Sequence, residues 1–263
     1  MDYETFKKIR VKHIPSLFSH ADEPNSYKNI SINCIFDEIT LSGDFLQFGV
    51  FRGHTARILE SYILLGRKLH LFDSFEGLPE DWSDTKFKKG HFSVTADEIF
   101  AFDPSRTVVH KGWFSDTVGP YKETYSNPVS MIHLDADLYS STIDVLEGLN
   151  DQIVLGTILL FDEIFLPGSG QVSDDEARAL TDWAQKFDRE YQILWRTRWV
   201  QCAVSVLRWS ELAGGRRWAA EAGFRTSNAD LPSTILMRSE RSVAHVACPC
   251  RLRSFSGSDL LRR

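Results

Sequence analysis

Four carboxylates stand in two short stretches of the chain, Asp135-Ala136-Asp137 and Asp162-Glu163. Each stretch follows an apolar run, Val129 to Leu134 in the first case and Thr157 to Phe161 in the second. If those runs are adjacent strands of one sheet, all four acids gather at neighbouring strand ends. Carboxylates that converge repel one another unless a cation or a proton separates them. Hard oxygen donors of this kind suit Mg2+, which keeps positions open for substrate oxygens. The plainer alternative is a set of solvated loop acids and helix caps, a use for which aspartate is well suited. His133 points to the opposite face from Leu134 on a buried strand, where a satisfied core histidine and a ligand or base role both stand open.

A second set of residues concerns a cofactor. Phe48-Gly49-Val50-Phe51-Arg52-Gly53-His54-Thr55 places two glycines four apart where an apolar run gives way to a helical pattern. Glycine there lets the backbone approach a ligand closely, and the N-terminus of the following helix offers free N–H groups to an anion. A simple tight turn would use the same residues. Asp73 closes the next apolar run, 20 residues after Gly53. An acid at that distance commonly accepts hydrogen bonds from ribose hydroxyls, and a helix-capping aspartate would look alike. Turn and acid together point to a nucleoside-bearing cofactor, while the GxGxxG form of a dinucleotide site is missing.

These residues need a frame. Asp44 to Val50, Lys68 to Asp73, Thr107 to Lys111, Val129 to Asp135 and Thr157 to Asp162 read as five strands. Helical spacing of apolar residues follows at 54–65 and at Thr142 to Leu149, and Asp174 to Phe187 is an amphipathic helix with acids in its first turn, as the helix dipole favours. Strands alternating with helices, and apolar along their length, imply a parallel sheet covered on both faces. Ligands in such sheets sit at the carboxyl ends of the strands. The closing hairpin is placed at 191–207. A helix over Glu211 to Phe224 with a strand over Thr234 to Arg238 is the alternative. The polar segment from Pro79 to Gly90 is too long and charged for a tight connection and reads as a lid or substrate loop.

Taken in order, FGVFRGHT, LFDSFEGLP, VHKGWFSDT, IHLDADLYSST and GTILLFDE resemble the macrocin O-methyltransferase family over Asp44 to Phe187. The FDSFEGLP and HLDADLYSST stretches carry the specificity of that resemblance. It implies an α/β fold, the Rossmann-like class I methyltransferase architecture, with a mostly parallel seven-stranded sheet and helices on both faces. It also implies S-adenosylmethionine as cofactor and methylation of a hydroxyl on a sugar or glycosylated metabolite. Gly49 and Gly53 would line its methionine part, with Gln47 and Thr55 close by. Asp73 would hold the ribose, with Ser74 and Phe75 nearby, and Trp113 would lie near the adenine. Asp135, Asp162 and Glu163 would bind Mg2+, and Asp135 is the best candidate base, with Asp137 able to replace it. The family carries an acid where this chain has Gln47, which can hydrogen-bond but lacks a charge to attract the methionine ammonium.

Composition sets outer bounds. The chain has 263 residues, 43% of them hydrophobic and 25% charged, as in an ordinary globular protein. A formal net charge of −6 argues against a nucleic-acid partner, because phosphate contacts need clustered Lys and Arg. No apolar run approaches the roughly 20 residues of a membrane span. Met1-Asp2-Tyr3-Glu4 does not open a signal peptide. Cys34, Cys202, Cys248 and Cys250 form no CxxC pair, which fits reduced thiols in a cytoplasmic protein. Homo-oligomerisation is left open. All 11 lysines lie at or before Lys186, whereas 13 of the 19 arginines follow it. The division expected is a helical cap over 1–43, a methyltransferase domain over 44–208 and an Arg-rich extension over 209–263.

Two other functions use some of the same residues. Asp135-Ala136-Asp137 could serve a metal-dependent nucleotide-sugar glycosyltransferase, which leaves the glycine turn and Asp73 unexplained. A phosphatase with an aspartate nucleophile would carry its motif on the first strand. A catalytically silent cofactor-binding module is the third reading, with Gln47 as its sign.

Overall fold

Runs that are apolar on both sides must be covered on both sides, and the chain meets that demand with a central sheet. The structure, a computed structural model, describes residues 35–36, 38–63, 66–83, 85–164, 174–196 and 201–208. Among them, β1 (Phe45–Phe48), α1 (His54–Tyr62), β2 (Leu69–Asp73), β3 (Thr107–Lys111), α2 (Phe114–Thr124), β4 (Met131–Leu134), α3 (Tyr139–Gly148), β5 (Ile158–Phe161), α4 (Glu176–Lys186), β6 (Glu190–Arg196) and β7 (Cys202–Arg208) follow in chain order.

The sheet runs β3-β2-β1-β4-β5-β7-β6. Every pairing is parallel except those of β7, which is antiparallel to both β5 and β6. This is the seven-stranded, mostly parallel sheet expected from the sequence. The chain first builds outward from β1 to β3, then returns to lay β4 on the other side of β1. That reversal is a topological switch point, and it opens a crevice at the carboxyl ends of β1 and β4.

Strands β1, β4 and β5 are buried along their whole length. On one face Leu46, Phe48, Phe72, Ile132, Leu134, Leu159 and Phe161 pack with Val118 and Tyr121 of α2, Val145 and Leu146 of α3, and Leu180 and Trp183 of α4. On the other face Phe45, Leu69, Leu71, Met131, Ile158 and Leu160 pack with Ala56 and Leu59 of α1. Each such side chain stabilises the fold by roughly 2 kcal/mol through removal of apolar surface from water. The edge strand β3 alternates instead, leaving Val109 and Lys111 exposed.

Helix α2 is a correction, because no element was expected at 114–124. Gly119 and Pro120 lower the helix propensity there, and the packing of Val118 and Tyr121 on the sheet overrides it. The hairpin at 191–207 is present as β6 and β7. The alternative over 211–238 lies outside the described residues, as do the whole extension 209–263 and residues 1–34 of the cap. Among the described residues no helix is long and apolar enough to cross a membrane. Cys202 is buried and forms no disulfide among the described residues; the other three cysteines lie outside the described residues.

Candidate active site

Sheet register decides which residues meet. Gln47 pairs with Leu71 and with His133, and His133 pairs with Leu160. Two residues further along each strand come Gly49, Asp73, Asp135 and Asp162. Strand alternation therefore puts these four on one face, at the carboxyl ends. One more backbone hydrogen bond holds each of three ends in line: Gly49 donates to Phe72 (3.0 Å), Asp135 to Phe48 (2.9 Å) and Asp162 to Leu134 (2.8 Å). All four residues line a cavity of about 730 Å3 at the switch point.

The acids do converge, in two overlapping sets. Asp135, Asp137 and Glu163 bring ligand oxygens within 4.8 Å of one another, and His133, Asp135 and Asp162 do the same. The expected trio of Asp135, Asp162 and Glu163 is thus divided between two sets that share Asp135. Asp137 reaches its place through a left-handed backbone, φ 61°, a conformation that aspartate tolerates better than most residues. Asp162 is nearly fully buried, accepts a hydrogen bond from Gln201 and has His133 Nε2 3.5 Å away.

Burial pushes the Glu163 carboxyl well above the ordinary carboxylate range, and the charges of Asp162, Asp135, Asp137 and Glu176 push it further. Its Oε2 is buried with no hydrogen-bond partner among the described residues. A divalent cation would satisfy that oxygen and remove the mutual repulsion. The donor set of hard oxygens therefore fits one, with Asp135 at its centre.

The glycine turn has two functions. Gly49 lines the cavity at φ 84°, and a Cβ added there would lie 1.8 Å from the Asp135 carbonyl oxygen. Glycine is required for β1 to pass β4 before any ligand is considered. Gly53 packs elsewhere: its Cβ would meet the Phe102 ring at 2.7 Å, and it does not line the cavity. Asp73 does line it, with its carboxylate already engaged. Oδ2 accepts the N–H groups of Val50 (2.7 Å) and Phe51 (2.8 Å), and Oδ1 accepts that of Phe75 (2.7 Å). A carboxylate offers about four acceptor positions, so one remains for a hydroxyl. Ser74 and Trp113 line the cavity. Phe75 and Thr55 do not; Phe75 packs against the α1-side core and Thr55 is buried in the first turn of α1. Gln47 is buried beneath the turn. Its Nε2 donates to Gly49 O (2.9 Å), and its Oε1 has no partner among the described residues.

The segment expected as a lid does roof the cavity, through Pro79, Glu80, Trp82, Thr85 and Phe87. Sequence reasoning missed how it is held. Glu176 is fully buried; its Oε2 accepts the Glu163 N–H (2.9 Å) and its Oε1 the Ala136 N–H (3.3 Å). Burial raises its carboxyl well above the ordinary range, the hydrogen bond from Glu163 opposes this, and the charges of Asp162, Asp135 and Asp137 add to the rise. Asp175 Oδ2 accepts the Trp82 indole N–H (2.8 Å). In sequence both acids read only as complements to the helix dipole.

The strand order and the crevice at its switch point are those of a class I methyltransferase fold. The macrocin-O-methyltransferase (TylF) family model matches residues 28–196, and the chain belongs to that family. A tetracenomycin-C 4'-O-methyltransferase of Streptomyces olivaceus, acting on the 8-demethyl-8-(2,3-dimethoxy-alpha-L-rhamnosyl) compound, is 28% identical over 140 residues, 46% of this chain and 52% of that one. The match thus spans about half the length of that relative. A demethyldecarbamoylnovobiocin O-methyltransferase of Streptomyces niveus is 25% identical over 63% of this chain and 71% of its own. Among solved structures, the calicheamicin methyltransferase CalS11 superposes with a TM-score of 0.57 at 20% identity, over 68% of this chain and 78% of that one. The O-methyltransferase NovP gives 0.55 at 19%, over 69% and 78%. At such identities these structures speak to the fold.

Proposed function

We propose that the protein is an S-adenosylmethionine-dependent O-methyltransferase, assisted by Mg2+, that methylates a hydroxyl of a sugar or glycosylated natural product. The carrying observation is that the acids of β4 and β5 line the same cavity as the glycine turn and Asp73. The named relatives act on rhamnosyl tetracenomycin and novobiocin compounds, which supports the acceptor class.

S-adenosylmethionine, when bound, supplies an electrophilic methyl group on a sulfonium. Gly49, Asp73, Ser74 and Trp113 are the cavity residues that would hold it. Asp135 with Glu163, Asp137 or Asp162 would hold Mg2+, whose charge would lower the pKa of an acceptor hydroxyl. Asp135 would accept the hydroxyl proton as the methyl group passes to that oxygen and its bond to sulfur breaks, S-adenosylhomocysteine being the leaving group. The cavity walls contribute alignment, for which effective molarities on the order of 10⁵ M are attainable. Trp82, Phe87 and Phe92 give the acceptor an apolar wall, and Glu80, Ser140 and Ser141 face it with hydrogen-bonding groups.

Calorimetry should show S-adenosylmethionine binding, and methyl transfer to a panel of hydroxylated sugars should need Mg2+. Turnover undiminished in EDTA eliminates the cation's part; cofactor binding without turnover on any acceptor marks a silent module instead. The glycosyltransferase reading has no support from a fold whose glycine turn and Asp73 enter the same cavity.

A further inference from the structure

We propose that Asp175 and Glu176 act together as positioning residues that tie the lid to the acid-bearing strand ends, so that a cation held by the acids tightens the lid over the acceptor. The proposal rests on the cavity reading above and deepens it.

Glu176 spends one oxygen on each loop that carries the acids. It holds the Glu163 N–H after β5 and the Ala136 N–H between Asp135 and Asp137. No shift of one loop relative to the other leaves both bonds intact. Asp175, joined to it by one peptide, stands at the N-cap of α4, yet its side chain caps nothing in that helix. Aspartate at an N-cap ordinarily satisfies the free N–H groups of the first turn. Here the carboxylate is committed elsewhere. Oδ1 accepts the N–H of Tyr139 at the start of α3 (3.1 Å), and Oδ2 accepts the indole N–H of Trp82, 93 residues away in the chain (2.8 Å).

Trp82 is the buried anchor of the lid. It clusters with Leu78 and Leu138, and its ring lies 5.8 Å from that of Phe87. The tie from lid to α3, Ser140 Oγ to Glu80 Oε1 at 2.6 Å, is exposed. A less exposed route from acids to lid runs Glu163 and Ala136, Glu176, Asp175, Trp82, through one buried and two partly buried hydrogen-bond links. Drawing Asp135, Asp137 and Glu163 onto one cation fixes the two backbones that Glu176 holds. The same helix turn then holds Trp82 in place. A rigid element with contacts at both ends is the physical basis for such coupling.

Hydrogen exchange of the amides over 79–90, with and without Mg2+ alone, reads the coupling directly. In the wild-type protein Mg2+ should slow lid exchange about threefold or more. Trp82→Phe keeps an aromatic anchor and deletes only the N–H. It should bind Mg2+ within about twofold of wild type by calorimetry, since no metal contact or partner of one is removed, yet lose the Mg2+-dependent slowing. Glu176→Gln, which keeps one acceptor oxygen, should weaken Mg2+ binding about tenfold. A merely structural tie would instead cost lid protection equally with and without Mg2+. The proposal is overturned if Mg2+ leaves wild-type lid exchange unchanged, if Trp82→Phe retains the slowing, or if the wild type binds no Mg2+. S-adenosylhomocysteine binding by the same samples tests the methyltransferase reading separately.

Discussion

Two of the places where the sheet buries polar groups are built in opposite ways. At the start of β2, His70 is fully buried with a partner on each ring nitrogen: His110 Nε2 at 3.0 Å from Nδ1, and Asp44 Oδ2 at 3.4 Å from Nε2. Phe72, Tyr121 and Tyr125 close around this chain of complementary groups. At the far ends of β4 and β5, the carboxyl groups of Asp135, Asp137, Asp162, Glu163 and Glu176 crowd together, and a buried Glu163 oxygen has no hydrogen-bond partner among the described residues. The first cluster is complete within the protein. The second leaves a Glu163 oxygen unsatisfied among the described residues, and that is what points to something bound there.

Substitutions should separate the two clusters. The largest effect is expected for Asp135→Asn, which removes the acid common to both ligand sets. Methyl transfer should fall by about 10²–10⁴-fold with the melting temperature little changed. A variant retaining most of its activity would move the site elsewhere. Gly49→Ala comes next, because its Cβ strikes the Asp135 carbonyl at a left-handed position. Loss of about 3 kcal/mol of stability is expected, read as a lower urea midpoint, together with loss of cofactor binding. In the complete cluster, His70→Asn should cost about 1–3 kcal/mol by stranding buried partners and leave kcat as in wild type. A changed kcat there would erase the distinction between the clusters.

The smallest effect is a pH dependence of opposite sign in the two clusters. Burial, with a smaller electrostatic contribution from neighbouring His70, lowers the His110 pKa from 6.5 to about 4. Its folded value lies below its unfolded one, so stability present above pH 6.5 is lost as pH falls from there toward 4. Glu163 and Glu176 are raised, so the cation-free folded state takes up protons before the unfolded chain does. Their repulsion is relieved as pH falls toward the ordinary carboxylate range, and stability rises. Mg2+ relieves the same repulsion. The gap between urea midpoints in Mg2+ and in EDTA should therefore be wider at pH 7 than at pH 5. A gap independent of pH would mean that the acids are not the groups Mg2+ neutralises.

Much of the fold was legible because it rests on apolar patterning. The strand expected over Thr107 to Lys111 has those bounds in the structure. The place of Asp135 and Asp162 at the strand ends that line the cavity was legible for a related reason, since each directly follows a buried strand. Orientation was harder to read. The sequence puts Gly53, Thr55 and Phe75 beside cavity residues, but the turn of the chain directs them into packing instead. Glu176 was missed because a surface acid and a buried one look identical at a helix start, and only the packed position of α4 turns it inward. Helix α2 was missed because Gly119 and Pro120 oppose it locally while its contacts with the sheet are distant in sequence.

The central claim is that the acids of β4 and β5 share one divalent ion beside the cofactor cavity. Titration of the protein with Mn2+, following the resonance of the free ion by electron paramagnetic resonance, tests it most directly. One bound Mn2+ per chain is expected in the wild type, displaced by Mg2+ and lost in Asp135→Asn. No bound ion, or binding undiminished in that variant, would contradict it.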